Sequence, residues 1–398
     1  MATRRSTDKA ARSTQLMSDP IVSAAATDES LDLSMATLVS KEGFTALAQA
    51  AAPSRPDDLT TRHYRALSTK ARAEYNRLRH IYHANYGPVA TPMLQTVNAV
   101  LEDVYDANRF KRGDKLSTPV VLSSPAGLGK TTAVVDFAQS IFRQRRAERG
   151  QYTGAGDEYI PVAYISLTSN PTPRGIDLLI CNFYGEPTRG AEADLIMRAH
   201  DSVRYCRTEL FIVDECQFID GSDPKWGAKN INHLKNLVNI MPGTFVFVGT
   251  GLTRDEKTAA LRPGFRRKQA SARDHMLLQQ MERRWTPVAL RGFNLRTKRD
   301  RMDWESVLLT IERDLVLCRK HPGMLTIELS EYLFERSSGH IGSLMSLISR
   351  GALRAIKSEQ ESLSEQLLND VRIDAEAERQ RRAYAAQFAA GDLSVITS

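Results

Sequence analysis

Between residues 119 and 290 the apolar positions alternate between a strand-like and a helix-like pattern. Apolar runs with the length of a buried strand alternate with longer segments in which apolar residues recur every three or four positions, as on one helix face. This pattern predicts strands over 119–123, 160–167, 210–214, 244–248 and 287–290, and helices over 130–146, 174–184, 191–206 and 229–240. Strands that alternate with helices predict an α/β fold with a parallel sheet covered by helices.

Beyond residue 300 the apolar period is that of helices. The predicted helices cover 304–317, 326–337 and 341–357, and they are separated by the breakers His321-Pro322-Gly323 and Ser338-Gly339-His340. A further helix is predicted after Glu359, continuing through Arg379-Gln380-Arg381-Arg382. These segments predict a small helical lid that follows the sheet domain.

The segments before the sheet differ in composition. Residues 1–56 are rich in Ala, Ser, Thr and Asp and predict a disordered arm, whereas 62–86 and 92–108 have helical period. The basic face of 62–86 has two interpretations, contact with DNA or simple solvation. The predicted division is an arm (1–56), N-terminal helices (57–110), an α/β domain (111–300), a lid (301–370) and a C-terminal helix with a tail (371–398).

A glycine-rich loop joins the first strand to the first helix of the sheet domain. Gly127 and Gly129 allow backbone N–H groups to face phosphate oxygens, Lys130 supplies positive charge, and the Thr131 hydroxyl is a ligand for Mg²⁺. Ser124 departs from the usual pattern, because it stands where the first glycine is expected. The predicted nucleotide-binding residues are Ser124, Pro125, Ala126, Gly127, Leu128, Gly129, Lys130, Thr131 and Thr132.

The strand over 210–214 ends in two carboxylates. Ligands of open parallel sheets bind beyond the carboxyl ends of the strands, which predicts that Asp214 holds Mg²⁺ in its outer shell and Glu215 polarises the attacking water. The alternative is a core strand that ends in a solvated Asp-Glu pair. The order of glycine loop and carboxylate strand favours ATP binding, whereas hydrolysis depends on the geometry of Glu215.

Two later features belong with this site. Thr250 follows the strand over 244–248 and is either a sensor of the γ-phosphate or the cap of a tight turn. The stretch 254–299 is basic and includes Arg266-Arg267-Lys268 and Arg283-Arg284. An arginine there can reach the γ-phosphate of a neighbouring subunit, a basic cluster can bind DNA, and a solvated loop is the third interpretation.

Composition narrows the class of protein. The net charge of +7 over 398 residues favours an acidic partner such as nucleic acid. The four cysteines have no zinc spacing, which predicts reduced thiols in a cytosol. The sequence has neither an apolar run of membrane-spanning length nor the apolar core of a signal peptide, and we expect a cytoplasmic protein.

Five motifs together resemble one branch of the AAA+ ATPases. They are SPAGLGKTT, LFIVDE, FVFVGTG, QQMERRWTPVAL and SSGHIGSLMSLISRGALRAI. This arrangement, over about residues 91–368, resembles the TniB/TnsC branch, which includes the MuB-like transposition regulators. The first two motifs are common to many ATPases, and the Gly-x-Ile-Gly lid signature with its spacing from the arginine pair indicates this branch.

The resemblance implies a protein that assembles as an ATP-bound helical oligomer on double-stranded DNA. It would mark a target site and recruit or activate a transposase, with or without a target-selector protein, and ATP hydrolysis would disassemble the filament. Matched by position, Lys130 and Thr131 are the Walker A pair and Asp214 and Glu215 the Walker B pair. Thr250 is the first sensor.

The resemblance also implies roles for residues outside these strands. Arg284 most nearly matches the arginine finger, with Arg283 next. Gly342 stands where many AAA+ proteins have a second sensor arginine. The family's DNA contacts map to residues 168–177, where Thr168 and Arg174 are the candidates.

Three other functions remain open at this point. A helicase loader or initiator ATPase uses the same core and DNA, but it would be expected to add a winged helix or a helicase-docking segment. A small-molecule kinase has a phosphate loop, although the adjacent Asp214 and Glu215 favour activation of water. An ATP-switched DNA scaffold with negligible turnover would need no hydrolysis, and a turnover assay with and without DNA separates it from an ATPase.

Overall fold

The computed structural model describes residues 33–219, 225–252 and 284–396. Among them, the described residues from Thr37 onwards belong to one compact unit. The short 3-10 turn Leu33–Met35 belongs to a separate unit. The predicted basic cluster Arg266-Arg267-Lys268 lies outside the described residues.

The centre of the molecule is a five-stranded sheet in which every described strand pair is parallel. The strands are β1 (Val120–Ser123), β2 (Val162–Ser166), β3 (Leu210–Asp214), β4 (Thr244–Gly249) and β5 (Thr286–Val288). Their order across the sheet is β2-β3-β4-β1-β5. Strands β1, β3 and β4 are buried along their whole length, which explains their continuous apolar runs.

The register brings the predicted site residues to one edge of the sheet. Ser123 at the end of β1 pairs with Gly249 at the end of β4, and β4 also pairs with β3. Because parallel strands point the same way, the residues that follow β1, β3 and β4 meet at their carboxyl ends.

Thirteen α-helices are described in residues 33–219, 225–252 and 284–396. They are α1 (Lys41–Gln49), α2 (Thr61–Ala66), α3 (Thr69–Ala84), α4 (Pro92–Arg109), α5 (Lys130–Arg149), α6 (Pro173–Tyr184), α7 (Glu192–Tyr205), α8 (Gly227–Ile240), α9 (Lys298–Asp314), α10 (Ser330–Ser337), α11 (Ile341–Lys357), α12 (Glu365–Asn369) and α13 (Ala375–Ala389). The predicted fold class, a parallel sheet with flanking helices followed by a helical region, is confirmed.

The structure corrects the prediction of a disordered arm over 1–56, because α1 lies within it. The Ser40 hydroxyl caps α1 by accepting a hydrogen bond from the Gly43 N–H at 3.2 Å. Phe44 is fully buried, and its ring centroid lies 5.7 Å from that of Phe142 on α5. Two apolar residues four positions apart, Phe44 and Ala48, therefore dock a segment whose overall composition is polar.

The helix predicted over 62–86 is two helices, because Ser68 begins a new one by capping Ala71 N–H at 3.2 Å. Arg79 on α3 is fully buried and forms hydrogen bonds of 2.6 and 2.9 Å with Glu361, which follows α11. Helix α3 thus uses part of its predicted basic face to pack against the helical region.

A second apolar core underlies the helices after β5. Its buried members include Trp304, Leu344 and Leu368. The turn before α10 is a π-helix, Met324–Glu328, whereas the apolar period predicts one continuous helix there. The helix predicted after Glu359 is also divided in two, α12 and α13.

Candidate nucleotide-binding site

The glycine loop after β1 encloses one side of a cavity of about 310 Å³. Gly127 and Gly129 have φ angles of 77° and 79°, which glycine adopts without the steric cost that other residues meet. Helix α5 begins immediately after Gly129, so its first backbone N–H groups are available to an anion. The predicted residues that line the cavity are Ala126, Gly127, Gly129, Lys130, Thr131, Thr132, Asp214, Glu215 and Thr250.

The Lys130 ammonium lies among three oxygen acceptors. It donates to the carbonyl oxygens of Ser124 at 2.7 Å and Pro125 at 2.8 Å and to the Thr250 hydroxyl at 3.3 Å. Burial lowers the pKa of Lys130, while Asp214 and Glu215 oppose that shift. Thr250 therefore lies beside the predicted phosphate-binding lysine, although its role as a sensor stays a prediction.

Asp214 is nearly completely buried and accepts hydrogen bonds at both carboxylate oxygens. Its Oδ2 accepts from the Thr131 hydroxyl at 2.9 Å and from the Tyr164 hydroxyl at 2.7 Å. Its Oδ1 accepts from the Glu215 N–H at 2.7 Å. Burial and the adjacent Asp214 carboxylate raise the pKa of Tyr164, which keeps this phenol protonated as a donor.

The donor set fits Mg²⁺. Thr131 and Asp214 present hard oxygen atoms, and Mg²⁺ in nucleotide sites commonly takes one or two protein ligands together with phosphate oxygens and water. Such a site needs no larger protein cage, and none is present: the described parts of the chain contain no group of three His, Cys, Asp or Glu side chains placed to hold a metal.

Glu215 lines the cavity beside Gln217, a residue that the sequence did not predict. The Gln217 amide donates to Glu215 Oε2, and its carbonyl accepts from the Thr250 N–H at 3.2 Å. A methyl group at Gly249 would lie 2.7 Å from the Gln217 Oε1, so glycine makes room for this side chain. Gln217 thus links the predicted water-polarising carboxylate to the end of β4.

Two other residues, Tyr164 and Ser124, make contacts that the sequence analysis did not predict. Each is an unusual residue type at its position, which could have drawn attention to it. Tyr164 is the one hydroxyl-bearing aromatic in the otherwise aliphatic start of β2. Ser124 departs from the usual loop pattern, and its hydroxyl donates to the Ser123 carbonyl at 2.7 Å and accepts from the Leu290 N–H at 2.6 Å. Serine at the first loop position therefore ties the loop to the segment after β5, and Ser124, Pro125 and Leu128 support the cavity without lining it.

The start of α11 is bonded directly to the glycine loop. The Gly342 N–H donates to the Gly127 carbonyl at 2.9 Å, and a methyl group at Gly342 would lie 2.7 Å from that oxygen. The His340 and Ile341 side chains pack beside Gly127 and Gly129. The glycine found in place of a second sensor arginine is therefore the point at which the backbones of lid and loop meet.

The remaining predicted residues lie away from the cavity. Arg284 is exposed just before β5. Burial lowers the pKa of Lys235 on α8, and the positive charge of Arg284 lowers it further. Arg283 lies outside the described residues. Thr168 and Arg174 are exposed after β2, and Arg174 donates to the Gly190 carbonyl at 3.2 Å. The assignments of Arg284 as arginine finger and of Thr168 and Arg174 as DNA contacts stay predictions.

In the parts of the chain that the structure describes, each helix is too short or too polar to cross a membrane.

Comparison with known proteins gives one family match over part of the chain and several similar folds. Residues 114–255 match the family described as AAA domain. No curated protein matches the chain. Among solved structures, the Aeropyrum pernix ORC1 protein in complex with DNA is similar, with 15% identity, a TM-score of 0.50, and coverage of 77% of this chain and 70% of that one.

Two bacterial structures from Thermotoga maritima also match. Domain III of the replication initiation protein DnaA has 14% identity and a TM-score of 0.39, covering 73% of this chain and 95% of that one. A RuvB variant has 13% identity and a TM-score of 0.37, covering 70% of this chain and 67% of that one. The matched AAA segment contains the glycine loop, Asp214, Glu215 and Thr250, and the chain has the fold of an AAA+ ATPase.

Proposed function

We propose that this protein is a DNA-dependent AAA+ ATPase that regulates transposition. The observation that carries the proposal is the convergence of Lys130, Thr131, Asp214 and Glu215 on one cavity whose loop is bonded to the start of the lid. The resemblance of the lid signature to the TniB/TnsC branch supplies the specific biological role.

ATP binding follows from the donors around the cavity. The loop N–H groups, the α5 N-terminus and Lys130 hold the phosphates, while Thr131 and Asp214 hold Mg²⁺, which neutralises phosphate charge when bound. Lys130 exchanges its carbonyl acceptors for phosphate oxygens. The same residues therefore bind the triphosphate and report its presence to the lid through Gly127.

Hydrolysis is assigned to Glu215, which orients and deprotonates the attacking water. In the present arrangement the Gln217 amide donates to one oxygen of that carboxylate, and the carboxylate has a second oxygen that can accept from the water. Arg284, with Arg283 as the alternative, completes the site of a neighbouring subunit and stabilises transition-state charge. Assembly and hydrolysis are then coupled.

DNA is the proposed partner of the oligomer. The similar ORC1 structure is a complex with DNA, and the chain has a net charge of +7. Thr168 and Arg174 are candidate contacts on the exposed segment after β2. A transposase, with or without a target-selector protein, binds the assembled filament.

The test begins with electron microscopy of the protein on duplex DNA with ATP, a non-hydrolysable analogue and ADP. We expect rings or filaments that require a triphosphate. Lys130→Ala should prevent assembly, whereas Glu215→Gln should trap it and lower kcat by about two orders of magnitude or more. Particles indifferent to DNA and nucleotide, or wild-type turnover by Glu215→Gln, would contradict the proposal.

Two alternatives are separated by further measurements. An ATP-switched scaffold would assemble normally and show negligible turnover with and without DNA. A helicase loader or initiator would retain a replicative helicase, and not a transposase, on immobilised duplex DNA in the presence of the non-hydrolysable analogue.

A further inference from the structure

A second cavity lies at the amino ends of the sheet's strands, whereas the glycine loop lies at their carboxyl ends. It has a volume of about 370 Å³ and surrounds the residues at which β3 and β4 begin, including Glu209 and Thr244. Helix α5 joins the two sites, since it begins at Lys130 in the nucleotide cavity and ends at Arg149 in this one. Its 20 residues span roughly 30 Å at about 1.5 Å per residue.

Positive charge dominates the lining of this second cavity. We call this cavity the basic groove. Five basic side chains contribute to its lining, namely Arg109, Lys111, Arg112, Lys115 and Arg149. The lining contains one carboxylate, Glu209, which leaves an excess of four positive charges (five minus one). Neither the nucleotide cavity nor the family resemblance assigns a role to these residues.

Glu209 is already committed to another arginine. The Arg145 guanidinium donates to both of its oxygens, at 2.8 and 2.9 Å, and Arg145 is only 1% exposed. The hydroxyls of Tyr105 and Tyr159 also donate to Glu209, at 2.9 and 2.7 Å. Arg149, 3.2 Å from Glu209, therefore shares this carboxylate with the buried Arg145, which also pairs with Glu148.

Hydrogen bonds of Lys111 fix the loop that carries Arg112 and Lys115. The Lys111 ammonium donates to Asn108 Oδ1 at 2.9 Å, the Leu116 carbonyl at 3.1 Å and the Thr118 hydroxyl at 3.2 Å. These bonds use its three N–H groups and position the loop.

The three cations at the rim are accessible. Lys115 is exposed, and the Arg112 and Arg149 side chains are 87% and 51% exposed. Arg112 Nε lies 3.6 Å from Asp114 Oδ1. An exposed ion pair of this kind contributes little binding energy and leaves Arg112 accessible to another anion.

We propose that the basic groove binds backbone phosphates of double-stranded DNA. The inference rests on the proposed function, in which the protein assembles on DNA, and adds the surface that holds the duplex. Several exposed cations on a preformed concave surface match a row of phosphates, and such contacts give affinity without sequence preference. The groove is distinct from Thr168 and Arg174, which lie near the carboxyl end of β2.

The test compares two triple variants with the same change in charge. The groove variant carries Arg112→Gln, Lys115→Gln and Arg149→Gln. The control carries Arg350→Gln, Arg354→Gln and Lys357→Gln, three exposed cations on the second half of α11. A double variant, Arg112→Gln with Lys115→Gln, leaves the Arg149 contact with Glu209 intact and guards against misfolding.

Duplex binding is measured with a non-hydrolysable ATP analogue over a salt series. In the groove variant we expect affinity to fall by about tenfold or more. The slope of log K against log salt should flatten by about 0.9 for each phosphate that the variant no longer neutralises. Duplexes of different sequence should be affected equally, and affinity for the ATP analogue should be unchanged.

The outcomes separate this inference from the proposed function. If the wild type binds DNA and the groove variants bind as tightly, or if the control weakens binding equally, the basic groove is not the DNA site. If the wild type itself does not bind duplex DNA with a triphosphate, the proposed function fails first.

Discussion

At the scale of single residues, the site is organised around the carboxylate of Asp214. Its Oδ2 accepts two hydroxyl hydrogen bonds, from Thr131 and Tyr164, which occupy both lone pairs of that atom. Its Oδ1 accepts one bond, from the Glu215 N–H, and retains one lone pair. This carboxylate oxygen would be available to the hydration shell of a bound Mg²⁺, while Tyr164 fixes the orientation of the carboxylate.

Tyr164→Phe tests this positioning role, because it removes the hydroxyl and keeps the ring. A hydrogen bond to a charged group contributes about 1.5–3 kcal/mol, so we expect the Mg²⁺ concentration for half-maximal ATP binding to rise about tenfold. The measurement is nucleotide binding by fluorescence over a Mg²⁺ titration. Tyr184→Phe is the control, since that buried hydroxyl is bonded to Thr208 away from the site at 2.6 Å; an unchanged Mg²⁺ requirement in Tyr164→Phe would refute the role.

The placement of the candidate site residues around one cavity could be predicted better than the side-chain contacts between them. Lys130, Thr131 and Asp214 follow from chemistry at strand ends, because the register of a parallel sheet brings those ends together. Gln217 and the hydroxyl of Tyr164 act through side-chain contacts across separate segments. Such contacts depend on side-chain direction in the folded state, and no spacing in the chain encodes them.

At the scale of elements, the strands and the main lid helix were predicted well, and the N-terminal segment was not. The bounds of β3 and α11 agree with prediction because each is apolar at a single clear period and ends at polar or breaker residues. Helix α1 was not predicted because only Phe44 and Ala48 of its nine residues are buried. A short helix with two anchors has too weak a periodicity to stand out from a polar arm.

Phe44→Ala measures what α1 contributes to stability. Removing a fully buried phenylalanine is expected to lower the free energy of unfolding by about 3–5 kcal/mol, because apolar burial is removed and a cavity remains beside Phe142. Phe110→Ala is the matched control, because Phe110 is 76% exposed and should change stability by less than about 0.5 kcal/mol. Equal thermal unfolding temperatures for the two variants would mean that α1 does not dock in solution.

Gly342→Ala tests the junction between α11 and the glycine loop. Helix propensity alone predicts that alanine stabilises a helical position by up to about 1 kcal/mol. The contact predicts the opposite sign, because the added methyl would lie 2.7 Å from the Gly127 carbonyl oxygen and overpacking costs about 1–3 kcal/mol. We expect a lower unfolding temperature and weaker ATP binding.

Gly154→Ala serves as the control for this junction, because a methyl group at Gly154 meets open space. It should leave both the unfolding temperature and ATP affinity close to wild type. A stabilised Gly342→Ala protein with normal ATP affinity would show that the lid does not depend on this backbone contact.

At the scale of the whole molecule, the two cavities lie at opposite ends of the strands of one sheet. The carboxyl edge holds the nucleotide cavity, the amino edge holds the basic groove, and α5 runs between them from Lys130 to Arg149. The fold class follows from the alternation of periods, which fixes a parallel sheet with a shared carboxyl edge. The basic groove could not be predicted, because it combines loops, the ends of α4, α5 and α8, and two strand starts that are distant in sequence.

The proposed sharing of sites between subunits predicts complementation in a mixture of two inactive variants. Glu215→Gln removes the carboxylate that activates water but keeps ATP binding and assembly, and Arg284→Ala removes the residue proposed to act on a neighbour. A mixed oligomer contains sites in which an Arg284→Ala subunit supplies Glu215 and a Glu215→Gln neighbour supplies Arg284. Random equimolar assembly of a closed or helical array restores roughly a quarter of the sites.

ATP turnover on duplex DNA measures this complementation. We expect each variant alone to be nearly inactive and the equimolar mixture to recover activity that grows with protein concentration, because active sites form only on assembly. Arg291→Ala, which changes an exposed arginine on the other side of β5, should be active alone. If Arg284→Ala alone turns over ATP like the wild type, the catalytic arginine is not Arg284 and Arg283 is the next candidate; if the mixture stays inactive, the sites are not shared as proposed.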